Sequence, residues 1–375
     1  MSDQSVLTSI PARLNMNCPI NRTSYGYVSS YFMSNLLLVG HDIRHAPIGR
    51  NDPDPEMVES ILPAISRNDY FYDAPCLKIW HQNDLGAFYG KGPRVGFPIF
   101  ELESFNEVEL HSLGNPDHLI VCSQWAKEVI KSTSKRDASV VPLGYDSRKF
   151  KPQPFKVDGS TYLGFNASTT VFANFGKFEI RKGHDVLSDI FNKAFNEDDD
   201  VALVMMPANP FMTNEEINEF VNRYKRSRLK DKIFFIPRLE AQSQVAQVMN
   251  SSHCGVFPSR AEGWNLEALE MLACGRHVII TDATAHKEFC NRSNCLLVDM
   301  ESGYEPAYDG KWFNGDFDWR KIGDSEIDQF VEYMRSVHKK HKEGSLTLNN
   351  AGIVSTLEYT WENSTRKLSK VLNNL

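Results

Sequence analysis

Short apolar runs alternate along this chain with longer stretches whose apolar positions return at helical spacing. In the first half, residues 77–80, 119–123 and 140–143 read as strands, and a helix is expected from Gln124 to about Lys131. In the second half the strand series continues through residues 171–175, 201–206, 233–236, 255–257 and 277–281. Helical patterns fall between them at 184–195, 214–224, 244–250 and 266–272. Such alternation marks an α/β fold, in which parallel sheets are covered by helices on both faces. Residues 361–375 read as an amphipathic helix with Leu368, Val371 and Leu372 on one face. Pro152, Pro154, Gly159 and Gly164 place a domain boundary within residues 150–164.

The length of 375 residues suits two domains, each able to bury its own core. No apolar run approaches the roughly 18 residues of a membrane span, and residues 1–10 lack the basic and apolar regions of a secretory signal. A cytoplasmic location is expected. The seven cysteines are scattered without C-x-x-C spacing, so reduced core thiols are expected rather than a zinc or redox site. The net charge of −7 gives no global attraction to nucleic acid or anionic lipid. Of two local basic patches, Lys339–Lys342 reads as a solvated helix end. The other holds Lys177, Arg181 and Lys182.

In open parallel sheets, ligands bind at the carboxyl ends of strands. One such segment is residues 259–270, SRAEGWNLEALE. Gly263 lets the backbone approach a ligand. The amides of Trp264, Asn265 and Leu266 are the unpaired donors of a helix start, which attracts phosphate. Glu270 lies about one turn into the helix and can accept hydrogen bonds from paired hydroxyls. A capped helix whose acidic first turn merely suits its dipole is the competing interpretation. A second segment, FGKFEIRKGHD at residues 175–185, also leaves a strand and opens a helix, about 80 residues earlier.

These segments resemble the pattern of retaining GT-B glycosyltransferases, specifically the large family four. There, two glutamates separated by seven residues bracket a glycine-rich turn; here they are Glu262 and Glu270, with Asn265 in place of a small residue. The resemblance implies that Glu262 contacts the transferred sugar and Glu270 the nucleotide ribose. It implies that Lys177, where arginine is usual, and Lys182 clamp the donor diphosphate. Lysine at 177 keeps the charge but loses the planar fork; Arg181 either compensates or is exposed. Arg238 matches the strand end that cradles the base. His277 stands where proline is usual and reads as structural.

The resemblance extends to the first half. Asn21, a candidate acceptor contact, and Gly26 lie in what looks like the first strand-to-helix loop, where Gly26 would let amides approach the donor phosphate or the acceptor, although Asn21 and Ser24 could instead cap the helix. His81 matches a histidine that faces the transferred sugar, and Glu101 could touch the acceptor. The implied architecture is GT-B: two Rossmann-like domains whose parallel sheets face an inter-domain cleft. The resemblance implies residues 1–155 as the acceptor domain, 156–345 as the donor domain, and 346–375 as a C-terminal helix returning to the first domain. The implied activity is retaining transfer of a sugar from a nucleotide diphosphate sugar to a hydroxyl. Glu262, His81 and Lys182 are the catalytic candidates, and no metal or further cofactor is expected. The acceptor class stays open among glycan, lipid-linked sugar, protein and modified base. A non-catalytic sugar-nucleotide or glycan-binding protein, and an inverting transferase or epimerase, are the alternatives.

Overall fold

The computed structural model describes residues 12–155 and 163–375. The expected boundary region, 150–164, falls partly outside them.

The first half runs β1 (Arg13–Cys18), α1 (Ser24–Leu38), β2 (Asp42–Pro47), α2 (Val58–Ile65), β3 (Cys76–Trp80) and β4 (Arg94–Pro98). It continues with α3 (Glu107–Gly114), β5 (His118–Val121), α4 (Gln124–Ser134) and β6 (Ser139–Val140). The strands form a parallel six-stranded sheet in the order β2-β1-β3-β4-β5-β6. Ser123, expected inside a strand, instead caps α4: its hydroxyl accepts from the Ala126 amide at 3.1 Å. β6 is shorter than expected because Pro142 has no amide to donate to a ladder.

The second half runs β7 (Thr170–Asn174), α5 (Leu187–Ala194), β8 (Val201–Met205), α6 (Asn214–Lys225), β9 (Ile233–Phe235) and α7 (Gln242–Asn250). Then follow β10 (Cys254–Phe257), α8 (Leu266–Ala273), β11 (His277–Thr281) and β12 (Leu296–Val298). These strands form a second parallel sheet, ordered β12-β11-β10-β7-β8-β9. β7, β8 and β10 are buried at every residue, which is why they read as continuous apolar runs.

An antiparallel hairpin, β13 (Tyr304–Tyr308) and β14 (Asn314–Arg320), comes next. The chain ends in α9 (Asp324–Lys342), α10 (Asn350–Thr356) and α11 (Trp361–Leu372). α11 lies against α1 of the first half: the Trp361 ring stacks on Tyr31 at 5.1 Å and meets Phe32 edge-on. No helix among the described residues is long and apolar enough to cross a membrane.

Candidate functional site

Each sheet has a switch point where the strand order reverses, and the crevice outside the strand ends there is the natural ligand site. In the second sheet it lies between β7 and β10. β7 leads into Gly176–Lys182, and β10 leads into Pro258–Glu262. In the first sheet it lies between β1 and β3, which lead into the Asn21–Gly26 loop and into His81. Asn174 ties the second switch point together: its amide donates to the Val256 carbonyl at 2.8 Å and accepts from the Gly176 amide at 3.0 Å.

Glu262 is the centre of the resulting cluster. Lys182 Nζ lies 2.8 Å from its Oε1, which also accepts from Ser259 Oγ at 3.0 Å. Arg181 Nη1 reaches the other oxygen at 2.8 Å and the Ala261 carbonyl at 2.6 Å. Arg181 is therefore buried and engaged, not exposed. Its Nη2 pairs with Glu179 at 2.7 Å, and Lys177 pairs with the same carboxylate at 3.0 Å. Burial alone would raise the Glu262 pKa, but Arg181 and Lys182 outweigh it and hold the carboxyl well below its ordinary value. Burial would likewise lower the Lys182 pKa, and Glu262 raises it instead. Both groups are charged at neutral pH.

The turn after Glu262 presents the amides of Gly263, Trp264 and Asn265, which donate to no described residue. Asn265 holds a left-handed backbone (φ 81°) as the cap of α8, and its side chain accepts from the Ala268 amide at 3.1 Å. Its Nδ2 lies 3.0 Å from His286 Nε2, while His286 Nδ1 is 2.9 Å from the Thr281 carbonyl. Burial lowers the His286 pKa to about 4, so the ring is neutral and accepts from Asn265. Thr284 holds Glu262 at both backbone ends, its hydroxyl 2.9 Å from the amide and 2.9 Å from the carbonyl oxygen. To do so, this β-branched residue adopts φ 44°, a strained conformation. Trp264 is buried against Phe289 and Tyr359, so its indole packs and only its amide is available. Leu266 opens α8 half-buried.

Glu270 is buried and accepts no hydrogen bond from a described residue. Burial, reinforced by Glu267, keeps its carboxyl well above the ordinary carboxylate range. Arg238 is half-buried near Tyr27 and Arg22, with Nη2 unpartnered, and burial lowers its pKa.

The first half supplies the facing wall. The Tyr25 hydroxyl donates to the Ile99 carbonyl at 2.6 Å and lies 3.3 Å from His81 Nδ1. Desolvation lowers the His81 pKa, and Lys177 across the cleft lowers it further. Glu101 Oε1 is 3.8 Å from Arg181 Nη2. Burial raises the Glu101 pKa against the pull of Arg181. Asn21 does not cap α1; its side chain accepts from the Thr23 amide at 3.0 Å in a local turn. Gly26 has a packing reason: a Cβ there would come within 2.1 Å of the Asn21 carbonyl oxygen. Gly263 has one too, since a Cβ would meet Phe100 O and Ile99 at 2.8 Å. The structure thus gathers Lys177, Lys182, Glu262, Gly263, Trp264 and Asn265 with His81 and Glu101 around one cleft. Tyr27 feels the charges of both Arg238 and Glu270, so these two lie beside the same side chain of the first half.

Residues 169–305 match the family described as glycosyl transferases group 1. The matched stretch holds the whole cluster around Glu262. That match covers just over a third of the chain, so over this stretch the chain is similar to the group 1 glycosyl transferases. A curated relative, the lipopolysaccharide core mannosyltransferase LpsB of Rhizobium meliloti, is 26% identical over 179 residues, 44% of this chain. The alignment spans 50% of that relative's length. Among solved structures, sucrose-phosphate synthase of Thermosynechococcus elongatus superposes with a TM-score of 0.71 at 15% identity, covering 96% of this chain and 98% of its own. Anabaena HepE, solved with UDP and glucose, gives 0.71 at 12% identity over 97% and 100%. At these identities the likeness is one of fold, and that fold is GT-B.

Several residues of this site escaped the sequence reading. Thr284 and His286 follow β11 and reach Glu262 and Asn265 only through tertiary return. Glu179 and Tyr25 are also absent from it, although Glu179 lies inside the basic segment. Its alternation with Lys177 and Arg181 is the signal that could have found it. Among the described residues, no group of His, Cys, Asp and Glu is arranged to hold a metal ion.

Proposed function

We propose that this chain is a glycosyltransferase that moves a sugar from a nucleotide diphosphate sugar to an acceptor hydroxyl, with retention and without a metal. The carrying observation is the contact of Lys182 and Arg181 with opposite oxygens of Glu262, beside the free amides before α8. Lys177, Arg181 and Lys182 are held in place by Glu179 and Glu262, with Glu101 3.8 Å from Arg181, and the free amides at the helix start offer the donors for an anionic ligand. The donor diphosphate sits over those amides, with Lys177 and Lys182 turned onto it. Glu262 then orients the sugar hydroxyls, Glu270 holds the ribose, and Arg238 borders the base. As the bond from the anomeric carbon to phosphate oxygen breaks, negative charge collects on the diphosphate, where fixed cations and amides stabilise it. The acceptor oxygen bonds to the same face of that carbon, and its proton passes to the departing phosphate oxygen. His81 faces the transferred sugar, and Glu101 and Asn21 border the acceptor. In this reading residues 1–155 form the acceptor domain, 156–345 the donor domain, and 346–375 the return segment. The seven buried, unpaired cysteines fit a reducing cytoplasm.

The test is a panel of UDP-, GDP- and ADP-sugars screened by thermal shift, followed by NMR of the product's anomeric configuration. One donor should raise the melting temperature and give a retained product without added metal. No stabilisation by any donor contradicts the reading, and an inverted product contradicts retention.

A further inference from the structure

The hairpin of β13 and β14 is anchored on the site yet presents an unused outer face. Its inner residues Ala307 and Trp319 bury against Ala261, the neighbour of Glu262, with Ile180 and Leu102 beside them. Arg260 fastens it through Glu305 at 2.6 Å. The Asp309 carboxylate accepts three consecutive amides, from Lys311 to Phe313, and fixes the turn. At its base the hairpin touches the first half. Glu103 lies 3.5 Å from the Tyr304 hydroxyl and accepts from the Trp125 indole at 3.3 Å. Glu103 is two residues beyond Glu101, so this contact continues the wall of the cleft.

The outer face alternates ring and polar group. Tyr304 and Tyr308 are 49% and 62% exposed, and Asp316 and Asp318 are exposed on the paired strand. Arg320 stacks on Tyr304 at 4.3 Å and holds that ring in place. We propose that this face, continuous with the cleft through Glu103, is the binding track for an oligosaccharide acceptor. The proposal rests on the transfer reading above and names its acceptor class. A sugar ring has an apolar C–H face that suits an aromatic surface and equatorial hydroxyls that suit carboxylates. Four strand residues place Tyr304 and Tyr308 roughly 13 Å apart. A single ring making stacking contacts of about 4.5–7 Å cannot touch both, so the ligand is a chain of sugars. The two aspartates and the net charge of −7 oppose a nucleic-acid strand or an anionic lipid surface. The fixed turn makes the face ready before binding.

The test uses the full chain on a printed glycan array, with and without UDP or GDP, followed by titration of the captured oligosaccharides. The wild type should capture oligosaccharides; Tyr308→Ala should lose about tenfold or more in affinity, Tyr308→Phe should retain it, and nucleotide binding should be unchanged in both. A wild type that captures no glycan, or a Tyr308→Ala variant of equal affinity, overturns the proposal. So does a wild-type dimer that Tyr308→Ala separates, because the face would then belong to a second copy. Tyr308-dependent glycan capture by a protein that binds no nucleotide sugar would sink the transfer reading and leave this surface standing.

Discussion

Glu262 and Glu270 differ by eight positions and by nearly everything in their surroundings. Glu262 has two cations and a serine, and its charge is secured. Glu270 is buried and accepts no hydrogen bond from a described residue, so its charge is costly in the fold. Glu270→Gln should therefore stabilise the empty protein while weakening the donor. A carboxyl whose pKa is raised by folding destabilises the fold above its unfolded value, and the amide removes that effect. The melting temperature should rise by about 2–4 °C for each kcal/mol recovered, while donor affinity falls; a lowered melting temperature would contradict the account. The glutamate pair was legible because it belongs to a local turn-and-helix pattern. Thr284 was not, since its contribution depends on φ 44° and on a return of the chain after β11.

Elements were legible where they are buried on both faces. β7, β8, β10 and β11 announce themselves as apolar runs, and the structure ends them within a residue or two of expectation. β1 and β2 hid because polar residues sit inside them. Asn15 exchanges hydrogen bonds with the Phe71 backbone, and His45 bonds the Cys18 carbonyl through Nε2 while its Nδ1 stays buried without a partner among the described residues, so neither has an apolar signature. The hairpin was missed because its outer residues are mostly polar or aromatic and its core is only Ala307 and Trp319. The amphipathic reading of the last helix finds its partner in α1. Trp361→Ala should cost about 3–5 kcal/mol, the usual penalty for emptying a buried aromatic site. Urea unfolding should show the midpoint falling accordingly. A variant as stable as the wild type would mean that α11 does not hold the two halves together.

At the scale of the molecule, two parallel sheets bring their switch points to one cleft, and contacts between the halves hold it. The Cys122 thiol donates to the Gly263 carbonyl at 2.9 Å, and Arg22 pairs with Glu240. Three buried histidines make the whole pH-sensitive. Burial lowers His184 and His286 to about 4 and His253 to about 3. Their unfolded pKa is near 6.5, so from pH 6.5 down to about 4 the unfolded chain binds protons that the fold refuses. Stability should fall across that window, approaching ~1.4 kcal/mol per pH unit for each histidine. Thermal melts from pH 8 to 4 would show it, and His253→Gln should flatten the slope; a flat profile in the wild type would contradict it. The most direct test of the central claim is donor turnover by Glu262→Gln, which keeps the shape of the side chain and removes its charge. The account predicts a folded protein that still binds nucleotide diphosphate but turns the donor sugar over at least ~100-fold more slowly; turnover at the wild-type rate would contradict it.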